Sequence, residues 1–120
     1  MIARRRDGAL TVSAEEVQQY EMLRPLLASM RDTFDELAKK KPDGTLSKTK
    51  VAMVNRLLAP IYKLLENEPN HQFLDLLDEI EMPQNSDVIL ILNQALTAME
   101  TFYDSRAHRD GLHTDWNLKK

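Results

Sequence analysis

Apolar side chains recur every three or four residues through each long stretch of this chain, and no stretch alternates apolar and polar residues over the length of a strand. That spacing is helical. It predicts an all-α fold, an antiparallel bundle of about four helices over approximately 13–41, 47–66, 70–81 and 86–106, with irregular termini. Residues 1–12 then form a basic N-terminal arm and residues 107–120 an irregular tail on one domain spanning 1–120.

Local signals place the helix ends. Ser13 followed by Glu16 is a capping box, in which hydroxyl and carboxylate serve backbone donors that the first turn leaves unpaired. Behind it, Tyr20, Leu23, Leu27, Met30, Phe34 and Leu37 step by three and four, an apolar seam of heptad type. Pro25 interrupts the backbone ladder of this helix and predicts a kink near Tyr20 to Met22; Pro60 does the same in the second helix. Pro42, Asp43 and Gly44 form a turn, and Ser47 is the expected N-cap of the second helix, whose inner face is Val51, Val54, Leu58, Ile61 and Leu65. The third helix is expected to turn Phe73, Leu76, Leu77 and Ile80 inward. The fourth opens at Ser86 with the seam Val88, Leu92, Ala95, Met99 and Phe102. Its first turns, Val88 to Leu92, are apolar nearly all round, so either the core or a second copy of the chain is expected to cover them.

At 120 residues with 42% hydrophobic and 29% charged side chains, the composition is that of one globular domain. The chain has no cysteine, which excludes disulfides, thiolate metal sites and a thiol nucleophile. Asp7 and Gly8 stand where a secretory signal needs its apolar stretch, and the longest apolar run, Val88 to Leu92, is far short of a membrane span. A cytoplasmic protein without membrane contact is expected.

Charge is the informative irregularity. Residues 1–63 carry 12 basic against 8 acidic side chains, while residues 64–103 carry 8 acidic and no basic ones. Such segregation steers partners electrostatically. The basic part gathers at Arg4, Arg5 and Arg6 and at the hairpin tip, Lys39, Lys40, Lys41, Lys48 and Lys50, residue types suited to a nucleic-acid backbone. Lysines at a helix C-terminus also complement its dipole, so the tip has a plain structural reading too. The acidic part, with Asp75, Asp78 and Glu79 at its centre, suits a basic protein partner, and Val88 and Ile91 add apolar surface for one. An alternative to the partner reading packs the acidic segment against the chain's own basic hairpin.

Catalytic patterns are sparse. No glycine-rich phosphate loop or nucleophile elbow occurs, and no two of the three histidines stand four apart as in helical zinc motifs. His108, His113 and the aspartates of the tail are read as solvated polar surface, so no metal and no cofactor is expected. A helix-turn-helix with recognition helix Ser47 to Leu57 fits poorly, because the helix before it is too long. Arg106 and His113, with six residues between them at the end of a long helix, resemble the R-x4-6-H signature of the HEPN superfamily, all-helical proteins that include RNases. The resemblance covers that stretch alone and implies that the pair acts on a ribose-phosphate backbone at a dimer interface, as a metal-independent RNase. Ala107 and Gly111 depart from the pattern.

The sequence therefore points first to a non-enzymatic helical interaction protein, a small subunit or accessory of a larger, nucleic-acid-containing complex, contacting the backbone through its basic tip. The alternatives are an acidic protein-binding inhibitor, such as an immunity protein, antitoxin or anti-defence factor, and the HEPN-like RNase.

Overall fold

A computed structural model describes residues 9–110 and 113–119. Arg4, Arg5 and Arg6 lie outside the described residues, so their expected role is not addressed by the structure. Three long helices form a bundle: α1 (Ala14–Lys40), α2 (Lys48–Leu64) and α3 (Asn85–Arg106). A 3-10 turn, Pro69–Phe73, lies between α2 and α3, and a two-stranded antiparallel hairpin, β1 (Ala107–Asp110) and β2 (His113–Trp116), follows α3. The helical bundle predicted from periodicity is the fold.

The seams are where the spacing puts them. Tyr20, Leu23, Leu27 and Phe34 of α1, Val51, Val54, Leu58 and Ile61 of α2 with Leu65 at its C-cap, and Val88, Leu92, Ala95, Met99 and Phe102 of α3 are all buried in one core. α1 packs most extensively against α3. Ser13 closes the predicted capping box, its hydroxyl accepting from the Glu16 N–H at 3.1 Å while the Glu16 carboxylate accepts from the Ser13 N–H at 2.9 Å. α1 continues as one helix through Pro25, and α2 through Pro60.

Three expectations are corrected. First, α3 is capped by Gln84 rather than opened at Ser86: the Asp87 carboxylate accepts from the Gln84 N–H at 3.1 Å, and Asn85 is buried. Second, no α-helix spans 70–81. Beyond the 3-10 turn the chain runs extended as a strap along α2, with Leu77 buried but Phe73, Leu76 and Ile80 exposed. A helix there would set Asp75 three and four residues from Asp78 and Glu79, an unfavourable stacking of like charges. The strap's backbone finds other partners: the Asn55 side chain donates to the Leu77 carbonyl at 2.9 Å and accepts from its N–H at 2.8 Å.

Third, residues 107–116 form a hairpin instead of an irregular tail, and residues 117–119 return to the N-terminal segment. Val12 donates to the Asn117 carbonyl and accepts from Lys119, both at 2.9 Å, and its side chain is fully buried. Trp116 meets Tyr103 edge-on at 4.8 Å and Tyr20 at 5.0 Å between ring centroids. This aromatic cluster buries Tyr20 and half-buries Trp116.

Tyr62 supplies a second anchor for the strap, its hydroxyl donating to the Asp75 carbonyl at 2.8 Å. Burial, helped by the Asp75 carboxylate, pushes its pKa up to about 12. The folded chain thus holds this proton more tightly than the unfolded chain, whose tyrosine titrates near 10. The stabilisation is complete below about pH 10 and declines as pH rises toward 12. Tyr62→Phe is expected to flatten the alkaline limb of a urea-stability profile and to cost about 1 kcal/mol at pH 7. Tyr20, also raised by burial, retains part of that slope.

Candidate functional site

The turn between α1 and α2 is held by α3. The Asn85 N–H donates to the Gly44 carbonyl at 2.8 Å, Ser86 to Pro42 at 3.0 Å, and the Asn85 side chain to the Lys41 carbonyl at 2.9 Å. Gly44 permits this approach, because a Cβ there would lie 2.9 Å from Asn85 Nδ2. The lysines predicted to project together are therefore carried on a rigid end of the bundle.

They are not equivalent. Lys39 is paired within its own helix, 3.1 Å from the Asp35 carboxylate and 3.8 Å from that of Glu36, and the Asp35 hydrogen bond holds its ammonium above the usual lysine pKa. Lys40, Lys41, Lys48 and Lys50 are exposed and make no ion pair among the described residues. Lys40 complements the α1 dipole as a structural role requires. Lys48 and Lys50 do the opposite, since they stand in the first turn of α2, where the dipole is positive and no acidic residue accompanies them. Helix α2 as a whole carries Lys48, Lys50, Arg56 and Lys63 and no acidic side chain.

The acidic side of the prediction is partly revised. Asp75, Asp78 and Glu79 are exposed on the strap. Asp78 also shapes it, accepting from the N–H groups of Ile80 at 2.7 Å and Glu81 at 3.2 Å, bonds that hold its carboxyl below the ordinary pKa. Val88 is 0% exposed, packed in the chain's own core, and is withdrawn as a partner contact; Ile91 is half-buried against that core. Of the apolar start of α3, Leu90 is the large side chain left exposed.

Arg106 is committed to structure. Its guanidinium reaches back 38 residues to Glu68 at 2.9 Å, with the two side chains 11% and 6% exposed, and lies 4.2 Å over the Phe102 ring. His113 lies on β2, on the hairpin rather than on a helix. The helix ends at Arg106 and the backbone turns into a strand, so the two residues are not presented on one helical face. Among the described residues, no group of three or more histidine or acidic side chains is placed to hold a metal, and no helix is long and apolar enough to cross a membrane.

Sequence reasoning missed an apolar groove of about 650 Å³ between α1 and α2, lined by Leu26, Met30 and Phe34 on one side and Met53, Leu57 and Pro60 on the other. Its signal was present as apolar residues flanking the seams, Leu26 beside Leu27 and Met53 beside Val54. Fold and surface together define a small helical bundle with one basic end and an acidic strap. Comparison of the chain with protein-family models, curated proteins and solved structures finds no match.

Proposed function

We propose that the chain is a non-enzymatic helical interaction protein, a small subunit or accessory of a cytoplasmic complex, that meets a nucleic-acid backbone through Lys40, Lys41, Lys48 and Lys50. The supporting observation is the placement of Lys48 and Lys50 against the α2 dipole, unpaired, on an end of the bundle that α3 holds rigid. Dipole complementation explains lysines at the end of α1 but not at the start of α2. Lysine ammoniums suit phosphates as point charges, which gives affinity without base readout.

Four phosphate contacts predict a salt slope of about −3.6 on duplex DNA, so affinity should fall roughly 100-fold between 50 and 200 mM salt. The test is fluorescence anisotropy with a labelled duplex and a labelled single strand. The combined variant Lys40→Glu, Lys41→Glu and Lys48→Glu is expected to weaken binding at least 100-fold while leaving the melting temperature near that of the parent. An unchanged isotherm removes the reading.

The second reading, an acidic protein-binding inhibitor, is favoured by a separate observation. The strap displays Leu76, Ile80 and Met82 to solvent between Asp75, Asp78, Glu79 and Glu81. Apolar anchors framed by one sign of charge are the ingredients of a docking segment.

A further inference from the structure

The strap and the groove between α1 and α2 both expose apolar side chains and carry opposite charge. Ile80 is 88% exposed and Leu76 49%, with carboxylates on either side. In the groove Leu26 is 53% and Met53 49% exposed, and the polar rim on the α2 side is Lys50 and Arg56. Neither cation has an ion-pair partner among the described residues. One surface exposes apolar side chains beside negative charge; the other exposes them beside positive charge.

They cannot satisfy each other within one chain. Asn55 and Tyr62 fasten the strap to α2, whereas the groove is lined by Met53, Leu57 and Pro60. Residues two apart on a helix point about 200° from one another, so Asn55 lies across α2 from Met53 and Leu57. The strap and the groove thus occupy opposite sides of the same helix.

We infer that the groove of one copy receives the strap of a second copy, with Leu76 and Ile80 entering between Leu26 and Met53, and Asp75, Asp78 or Glu79 facing Lys50 and Arg56. Because the two surfaces lie on opposite sides of α2, the contact is head-to-tail and repeats from copy to copy, closing a ring only if the rotation allows. The charge segregation of the sequence favours the same polarity, since the basic residues 1–63 of one copy face the acidic residues 64–103 of the next. This inference rests on the reading of the strap as a docking segment and is independent of nucleic-acid binding.

A head-to-tail contact has a test that a symmetric one lacks. Ile80→Asp damages only the strap and Met53→Asp only the groove, and both positions are exposed enough to leave the core intact. By sedimentation velocity at 50 mM salt, the parent chain is expected to form a concentration-dependent series of species that recedes at 500 mM salt. Each variant alone should be monomeric, with self-association weakened at least tenfold, while a mixture of the two should stop at a heterodimer, joining the intact strap of one to the intact groove of the other. A parent chain that stays monomeric, or variants that associate as it does, or a mixture without heterodimer, overturns the inference. A labelled peptide of residues 70–83 separates this from failure of the docking reading. If the parent chain is monomeric yet binds the peptide in a Met53-dependent way, the strap remains a docking segment and only the pairing of copies is lost. If it does not bind, strap and groove are not partners and the inference falls alone, the docking reading then standing or falling on a separate basic protein.

Discussion

Replacing Arg106 with leucine is expected to lower the unfolding free energy by about 3–5 kcal/mol, enough to reduce the melting temperature by roughly 10–20 °C. The size follows from what is left behind. Glu68 is buried, and Arg106 is the cation that balances it, 2.9 Å away. Removing the guanidinium strands a carboxylate in a site from which water is largely excluded, and it also removes the cation lying 4.2 Å over Phe102. The pair itself is not expected to contribute much net stability, because desolvation of two charges offsets most of their attraction. The double variant Glu68→Leu with Arg106→Leu should therefore recover most of what the single variant loses, a non-additivity readable from urea melts of the four chains. If Arg106→Leu costs less than 1 kcal/mol, the guanidinium is not a structural group, and the arginine-histidine pair regains its interest as chemistry.

Asn55→Leu is the second large effect, expected at about 2–4 kcal/mol. Leucine has the same number and branching of side-chain heavy atoms as asparagine, so lost packing is not the cause. The loss comes from the Leu77 N–H and carbonyl, both satisfied by this one amide from 22 residues away, at 2.8 and 2.9 Å. Each buried backbone group left without a partner costs about 1–3 kcal/mol. Because Tyr62 still holds Asp75, the strap should loosen between 76 and 82 before the bundle melts. Hydrogen exchange is expected to rise in that segment while α1 and the core of α3 stay protected. Exchange that rises uniformly would mean that the strap and the bundle unfold as one unit.

The same two sites mark the boundary of what could be read in advance. The seams of α1, α2 and α3 were legible because periodicity repeats over about four to five turns; Leu27, Leu58 and Leu92 are fully buried as the spacing requires. The 70–81 segment has the same period, Phe73, Leu76, Leu77 and Ile80, over barely three turns. There the crowding of carboxylates and the amide of Asn55 outweigh it. The hairpin after α3 was not legible at all. Its strands are four residues each, and the segment after it pairs with Val12, more than 100 residues earlier, so no local signal announces either.

The candidate site divides in the same way. The lysines of the tip were visible as a cluster, but their inequality was not. Lys39 is paired within its own helix with Asp35, whereas Lys48 and Lys50, at the positive end of α2, make no ion pair among the described residues. Val88 read as surface for a partner and proved to be packed in the core, and Trp116 packs against Tyr20 and Tyr103.

Sequence alone determined the three long helices, their inner faces, the capping box at Ser13 and the separation of positive from negative charge, because each is encoded by neighbours a turn or two apart. Tertiary structure decided which of the remaining polar groups are spoken for. Arg106 goes to Glu68, Asn55 to Leu77 and Asn85 to the α1–α2 turn, whereas Lys48, Lys50, Arg56 and the strap carboxylates make no ion pair among the described residues. The physical reason is that buried polar groups must find partners wherever the fold brings them, at separations of 22 to 44 residues in these three cases, and periodicity carries no information over that distance.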